Sequence, residues 1–293
     1  MKQRFRQLQA LPDMSQKWIG WHQTLVSAHI LPNFTEFGWG LTQAPQALTD
    51  ELRTEIYAEL PYSQVEQYVK VVNSSLPSMF IERNDLATKA SRELQPILEA
   101  WAGMELVPSI AYGFRIYRHG ARLWMHLDQL KTHVISCIYH IASANDAKPW
   151  PLLIEDYDGN TMAVVLKPGD MLLYESAKNF HGRPIALDGN WYSSLFLHYY
   201  PKMDGWVDQD HKQEVVNSFP PDWREVLDTP SPYPPLEMIG GSMYEPDCPD
   251  YWCHVRDAIY LEGPGEYGKV LTSRGKRYSL FEDSLDANAK EEL

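Results

Sequence analysis

The residues of this chain best suited to chemistry are His126 and Asp128, in the string His126-Leu127-Asp128, together with His181 in Asn179-Phe180-His181-Gly182-Arg183-Pro184. In an extended strand, residues i and i+2 project to the same face, so this imidazole and this carboxylate share one side. Two imidazoles and one carboxylate can hold a divalent metal on one face and leave its other positions open to reactants. Neutral imidazole is a good donor for such an ion, and the carboxylate offsets part of its charge. An H-x-D string alone arises often by chance. Its bland alternative is a strand-end histidine followed by a turn aspartate bonded to backbone, so the surrounding sequence has to decide.

Those surroundings are β-rich. From Val107 the apolar pattern shortens, and the segments 110–118, 122–127, 133–141, 151–156, 161–167, 170–175, 179–183 and 191–199 are rich in β-branched and aromatic residues. Asp158-Gly159-Asn160, Lys167-Pro168-Gly169-Asp170 and Asp188-Gly189-Asn190 supply turns between them. Short strands at this spacing suit a jelly roll. Upstream, Thr49 to Leu60 reads as a helix with Leu52, Ile56 and Leu60 on one stripe, and Gln64 to Val72 as a second short helix or a strand. A stronger helix spans Asp85 to Ala102 and stops at Gly103, with Pro96 predicted to kink or split it. Residues 1–46 read as a folded but irregular lead-in. Beyond Pro201, the strings Phe219-Pro220-Pro221 and Pro230-Ser231-Pro232-Tyr233-Pro234-Pro235 are connectors, followed by a loop-rich stretch with a frayed end over 283–293. The expected organisation is a helical lead-in over 1–104, a β core over 105–202 and a loop-rich extension over 203–293.

The order of motifs across the core is more specific than any one of them. Tyr112-Gly113-Phe114-Arg115-Ile116-Tyr117-Arg118-His119-Gly120 is followed by His126-Leu127-Asp128, the strand Val134 to Tyr139, Trp150-Pro151-Leu152, Lys167 to Glu175, His181-Gly182-Arg183-Pro184 and Tyr192 to Pro201. This ordered set resembles the prolyl 4-hydroxylase-like branch of the Fe(II)/2-oxoglutarate-dependent dioxygenases. The resemblance implies a mainly β fold with flanking helices around a double-stranded β-helix (jelly-roll) core. It implies His126, Asp128 and His181 as the catalytic Fe(II) ligands, with 2-oxoglutarate and O2 as co-substrates. The reaction it implies is hydroxylation of an aliphatic C–H in an amino-acid-like small molecule or a peptidyl residue, with succinate and CO2 as co-products. Halogenating members of the superfamily lack the carboxylate ligand, so Asp128 argues against halogenation.

The sequence departs from the family pattern at the 2-oxoglutarate anchor. Members usually carry a Lys or Arg shortly after the distal histidine, but Gly189-Asn190-Trp191-Tyr192-Ser193-Ser194 holds no basic residue. Tyr117 matches the family tyrosine that bonds the far carboxylate. Arg183 lies two residues beyond His181, on the same face of an extended strand, and is the replacement candidate, with Arg115, Arg118 and Lys131 as alternatives. The bland reading of Arg183 is a salt bridge on the barrel rim. Trp124, Trp150, Trp191 and Tyr199 are expected to give bulk to the barrel or its mouth. His140 and His198 fall on predicted strands and are expected to be structural.

Composition narrows the partners. The net charge is −13, and a negative surface repels phosphate backbones, so a nucleic-acid partner is not expected. The N-terminal MKQRFRQLQALPDM has no apolar signal core, and no run reaches the ~18 apolar residues of a membrane span. A cytoplasmic protein with no membrane partner is the expectation. The three cysteines, Cys137, Cys248 and Cys253, do not suggest a disulfide framework; they read as ordinary thiols, with a zinc site as the lesser alternative. Two other readings stay open: a cupin-type metalloenzyme that does not use 2-oxoglutarate, and a non-catalytic β-sandwich binding module. Oligomeric state is not legible.

Overall fold

The computed structural model describes residues 2–25, 30–67, 71–206, 212–225 and 231–281. In chain order the lead-in forms α1 (Lys2–Gln9), α2 (Met14–Leu25), β1 (Trp39–Gln43), α3 (Gln46–Glu59), the short strands β2 (Gln64–Val65), β3 (Val72–Asn73) and β4 (Met79–Ile81), and α4 (Asn84–Ala102). Eight strands follow: β5 (Leu106–Arg118), β6 (Arg122–His126), β7 (Ile135–Ser143), β8 (Leu152–Glu155), β9 (Thr161–Val165), β10 (Asp170–Tyr174), β11 (His181–Arg183) and β12 (Trp191–Pro201). After them come α5 (Lys212–Asn217), β13 (Glu237–Ile239), β14 (Ser242–Tyr244), β15 (Ile259–Glu262), β16 (Lys269–Thr272) and β17 (Arg277–Ser279).

The eight central strands divide between two sheets. One holds β10-β7-β12-β5 side by side and the other β6-β11-β8-β9, so the chain crosses between sheets at every step except β8 to β9. All pairings among these eight are antiparallel. This strand order is that of a double-stranded β-helix, as expected from the sequence.

Alternation along the strands fixes which side chains reach the interior. On β7, Ile135, Cys137, Tyr139 and Ile141 join Leu195, Leu197 and Tyr199 of β12 in one apolar cluster, and α3 and α4 lay Leu52, Ile56, Leu94, Leu98 and Trp101 onto it. The opposite parity, Ser136, Ile138 and His140 on β7 with Tyr192, Phe196 and His198 on β12, faces the other sheet. The helices therefore buttress one outer face of the barrel, and the chemistry-bearing residues are left inside it.

Helix α4 runs unbroken through Pro96, against the expected split, and ends at Gly103 in the left-handed region (φ 69°). Pro96 is exposed, so the Arg92 carbonyl deprived of its helical donor can turn to water. The Gln64 to Val72 segment forms parts of two short strands, with residues 68–70 outside the described set.

The lead-in is more regular than its sequence suggested. Polar α1 is held by ion pairs rather than by a long apolar stripe: buried Arg4 reaches Glu155 on β8 at 2.9 Å and Glu245 at 2.8 Å. Past β12, the chain adds strands to both sheets: β14 pairs with β6, β15 with β9 and β16 with β1. The expected frayed end, 283–293, lies outside the described residues. Cys248 and Cys253 are joined in a disulfide, which corrects the reading of ordinary thiols, while Cys137 is free and buried. Glu245 beside that disulfide is already bonded to Arg4, Gln7 and the Cys253 amide, so its carboxylate is satisfied without an ion. No helix of the described residues is long and apolar enough to cross a membrane.

Candidate metal centre

His126 ends β6, His181 begins β11, and the antiparallel register places them directly opposite one another, with ring centroids 4.3 Å apart. Strand pairing thus closes the long sequence gap between the two histidines. Gly182 makes that approach possible: a Cβ there would lie 2.8 Å from the carbonyl oxygens of both Leu123 and Trp124, so any side chain would push β11 off β6. Asp128 lies just past β6, and its amide donates to the Ser176 carbonyl at 3.0 Å.

Hydrogen bonds fix both imidazole tautomers. His126 Nδ1 is 2.7 Å from the Trp124 carbonyl oxygen and His181 Nδ1 is 2.9 Å from that of Asn179. A carbonyl can only accept, so each Nδ1 carries the proton and each Nε2 keeps its lone pair. Those two Nε2 atoms face the Asp128 carboxylate, His126 at 3.6 Å from Oδ1 and His181 at 3.8 Å from Oδ2. One ligand atom from each of the three residues falls within 4.8 Å of the others. Asp128 Oδ2 is buried with no hydrogen-bond partner, a costly state for a carboxylate oxygen that a cation would relieve. Burial raises the Asp128 carboxyl and lowers both His126 and His181 to about 4. The donor set therefore fits a divalent metal.

The triad opens onto a cavity of about 230 Å³ whose wall includes Tyr112, Arg115, Ile138, Phe196, His133 and His198. Arg115 is buried and donates from Nε to both oxygens of buried Glu66, at 2.9 and 2.8 Å, and from Nη1 to the Tyr117 hydroxyl at 3.2 Å. Arg183 is buried but is not part of the cavity wall, and the register shifts between it and His181. Its guanidinium sits 4.5 Å from the Trp150 ring and 4.8 Å from the Tyr192 ring. It donates to the Trp150 carbonyl and, at 3.3 Å, to the Tyr192 hydroxyl. Tyr117, Trp150 and Tyr192 form one cluster against which Phe196 of the cavity wall packs. Among the described residues, no carboxylate lies within ion-pair distance of Arg183. Arg118 ends β5 beside Trp191. Lys131 lines a separate cavity of about 320 Å³ on another side of Asp128.

His133 and His198 pack together in the cavity wall with centroids 4.0 Å apart and rings tilted by 41°; the sequence placed His198 on a strand with a structural role and did not single out His133. For His198 a signal existed, because it shares the inward parity of Tyr192 and Phe196 on β12. His133 precedes β7 in a turn, where no periodicity applies. His140 is buried, its Nδ1 donates to the Ser193 carbonyl at 2.9 Å, and its ring stacks on Tyr192, which is the structural role expected of it.

These buried neutral histidines tie stability to pH. Burial lowers His140 to about 3 and His181 to about 4, below the ordinary ~6.5 of an unfolded chain. Between those values the unfolded chain binds protons that the folded chain does not, so the stabilisation is complete above about pH 6.5 and falls as pH drops. Each such histidine contributes about 1–2 kcal/mol of loss by pH 5. The metal-free chain is therefore expected to melt several degrees lower at pH 5 than at pH 7. A melting temperature that holds constant across that interval contradicts the buried-neutral assignment.

No family model and no curated protein matches the chain. Among solved structures, it is similar to a prolyl-4-hydroxylase from Pseudomonas putida at 15% identity and a TM-score of 0.39, covering 62% of this chain and 100% of that one. It is also similar to HygX from Streptomyces hygroscopicus, solved with nickel, 2-oxoglutarate and hygromycin B, at 10% identity and a TM-score of 0.42, covering 57% of this chain and 84% of that one. A prolyl hydroxylase from Trichoplax adhaerens, in complex with a hypoxia inducible factor peptide, gives 12% identity and 0.40, covering 71% and 99%. The scores are low, and the strand order alone identifies the fold.

Proposed function

We propose that this chain is an Fe(II)- and 2-oxoglutarate-dependent oxygenase that hydroxylates an aliphatic C–H of an amino-acid-like small molecule or a peptidyl residue. The observation that carries this reading is the convergence of two Nε2 lone pairs and an orphaned carboxylate oxygen on the wall of a cavity inside a double-stranded β-helix. Two imidazoles and a carboxylate leave coordination positions open for co-substrate and O2. When bound, Fe(II) with 2-oxoglutarate would activate O2, which is the oxidant for C–H cleavage. The protein's own residues hold the ligands in one tautomer, exclude water and position the reacting carbon.

The far carboxylate of 2-oxoglutarate needs a buried cation. Arg115 is nearer the triad, but Glu66 already neutralises it. Arg183 is a buried guanidinium without an anionic partner among the described residues, which favours it as the anchor, with Tyr117, whose hydroxyl accepts from Arg115, as the neutral donor. Leu123, which lines the cavity, pairs in register with Arg183.

The test is an anaerobic titration of the full chain with Fe(II) and then 2-oxoglutarate. The expected result is one bound Fe(II) per chain and the weak visible charge-transfer band of the chelate. On admission of air, 2-oxoglutarate is converted slowly to succinate even without substrate. Metal binding without any response to 2-oxoglutarate points instead to a cupin-type enzyme. No metal binding at all sinks the oxygenase reading and leaves a binding module.

A further inference from the structure

Behind the cavity wall at His198 runs a chain of hydrogen bonds whose protons can be counted. Ser176 Oγ lies 2.7 Å from the His133 carbonyl oxygen, and a carbonyl can only accept, so the one Ser176 hydroxyl proton goes there. Ser136 Oγ lies 2.6 Å from Ser176 Oγ, and with the Ser176 proton spent, Ser136 is the donor in that contact. Ser136 Oγ also lies 2.8 Å from His198 Nδ1. Its single proton is now spent too, so Nδ1 must donate to it. The order is His198 Nδ1–H to Ser136, Ser136 to Ser176, and Ser176 to the backbone at His133. Ser136 and His198 meet because β7 and β12 pair in register at those residues.

This accounting leaves His198 Nε2 with a lone pair. Among the described residues that atom has no hydrogen-bond partner, and it is not one of the sealed, unpaired buried polar atoms, while the His198 ring is part of the cavity wall. This acceptor, without a partner among the described residues, is held in the same cavity wall as the triad. Arg115 and Tyr112 are donors already bonded to Glu66, and Ile138 and Phe196 offer no polar atom.

Resting on the oxygenase reading, we propose that His198 is a specificity-determining residue: the Ser136–Ser176 pair locks it as the Nδ1–H tautomer, so that Nε2 accepts a hydrogen bond from an amine or hydroxyl of the substrate close to the carbon that reacts. The substrate class is then a small molecule or side chain that carries an N–H or O–H donor near its oxidised C–H. A purely aliphatic or fully methylated group leaves Nε2 desolvated and unpaired, a loss that discriminates more sharply than a missing methylene. The role is carried by Nε2 and does not require His198 to touch the metal, although its Nδ1 lies 3.8 Å from Asp128 Oδ2.

The experiment is long-range 1H–15N correlation NMR of the histidine rings in the full chain, loaded with diamagnetic Zn(II), with His198 assigned from a His198→Asn spectrum. The expected pattern is a protonated Nδ1 and a lone-pair Nε2, and Ser136→Ala is expected to destroy that fixed pattern while Ser136→Thr, which keeps the hydroxyl, preserves it. Methylammonium at tens of millimolar should then shift the Nε2 resonance, and tetramethylammonium, which has the same charge and no donor, should not. A protonated Nε2 overturns the proposal; it is the outcome if the Ser176 proton turns to Asp128 and Ser136 donates to His198. Equal response to both ammonium probes, or to neither, also overturns the acceptor role. Failure of the chain to bind Zn(II) or Fe(II) at all counts against the oxygenase reading instead, and the tautomer can still be read in the metal-free protein.

Discussion

Asp128→Ala is expected to abolish turnover and to make the metal-free protein more stable. The two effects have one cause. Asp128 sits in a wall of buried side chains, its Oδ2 has no hydrogen-bond partner, and burial raises its carboxyl. A raised carboxyl is easier to fold protonated than ionised, so the ionised group opposes folding, by a penalty that grows as pH rises from the ordinary carboxylate range to the raised value and is then constant. Removing it relieves an unsatisfied buried group worth about 1–3 kcal/mol, a few degrees of melting temperature in a chain of this size. The backbone bond from the Asp128 amide to Ser176 survives the change. The metal loses one of three ligands, and its affinity is expected to fall by more than the roughly 10–100-fold that outer-shell substitutions cost. The wild type should therefore gain melting temperature on adding Fe(II) or a substitute ion, and the variant should start higher and gain nothing. A variant that melts below the metal-free wild type would show that Asp128 is a structural residue, and one that still responds to metal would place the ligands elsewhere.

How much of this was legible in the sequence follows from the range of the interactions involved. Alternation is local, so the eight strand segments and the shared face of His126 and Asp128 could be read from residue order. The union of His181 with them was legible only through the ordered set of motifs, because strand pairing across the barrel leaves no local trace. The same is true of α1: its polar sequence hides a helix because Arg4 is satisfied by Glu155 and Glu245, far along the chain. Pro96 misled because its effect depends on which side of α4 it faces, and the exposed side tolerates it. Cys248 and Cys253 misled because spacing cannot report whether a turn brings two side chains together. The cavity histidines divide in the same way, His198 being predictable from parity and His133 not.

The 2-oxoglutarate anchor is where two buried arginines compete, and their different partners make the prediction decisive. Arg183→Leu removes a guanidinium that has no carboxylate partner among the described residues, so the folded protein loses two hydrogen bonds to neutral groups and two ring contacts. Its bond to an incoming carboxylate is charge-assisted, worth about 1.5–3 kcal/mol, or roughly 10–100-fold in affinity. The KM for 2-oxoglutarate is expected to rise by that factor, with Fe(II) affinity nearly unchanged because His181 keeps its carbonyl partner and its place opposite His126. Tyr117→Phe should raise the same KM less, since a neutral hydroxyl gives a weaker bond. Arg115→Leu is expected to act differently: it strands buried Glu66, and breaking such a pair costs about 3–5 kcal/mol of stability. A first effect on melting temperature, with little change in the 2-oxoglutarate KM of the protein that remains folded, is the signature of a structural ion pair. Arg115→Lys, which keeps the charge against Glu66, removes that ambiguity. If Arg115→Lys raises the KM and Arg183→Leu leaves it unaltered, the anchor is Arg115, and Glu66 must then release it when 2-oxoglutarate enters.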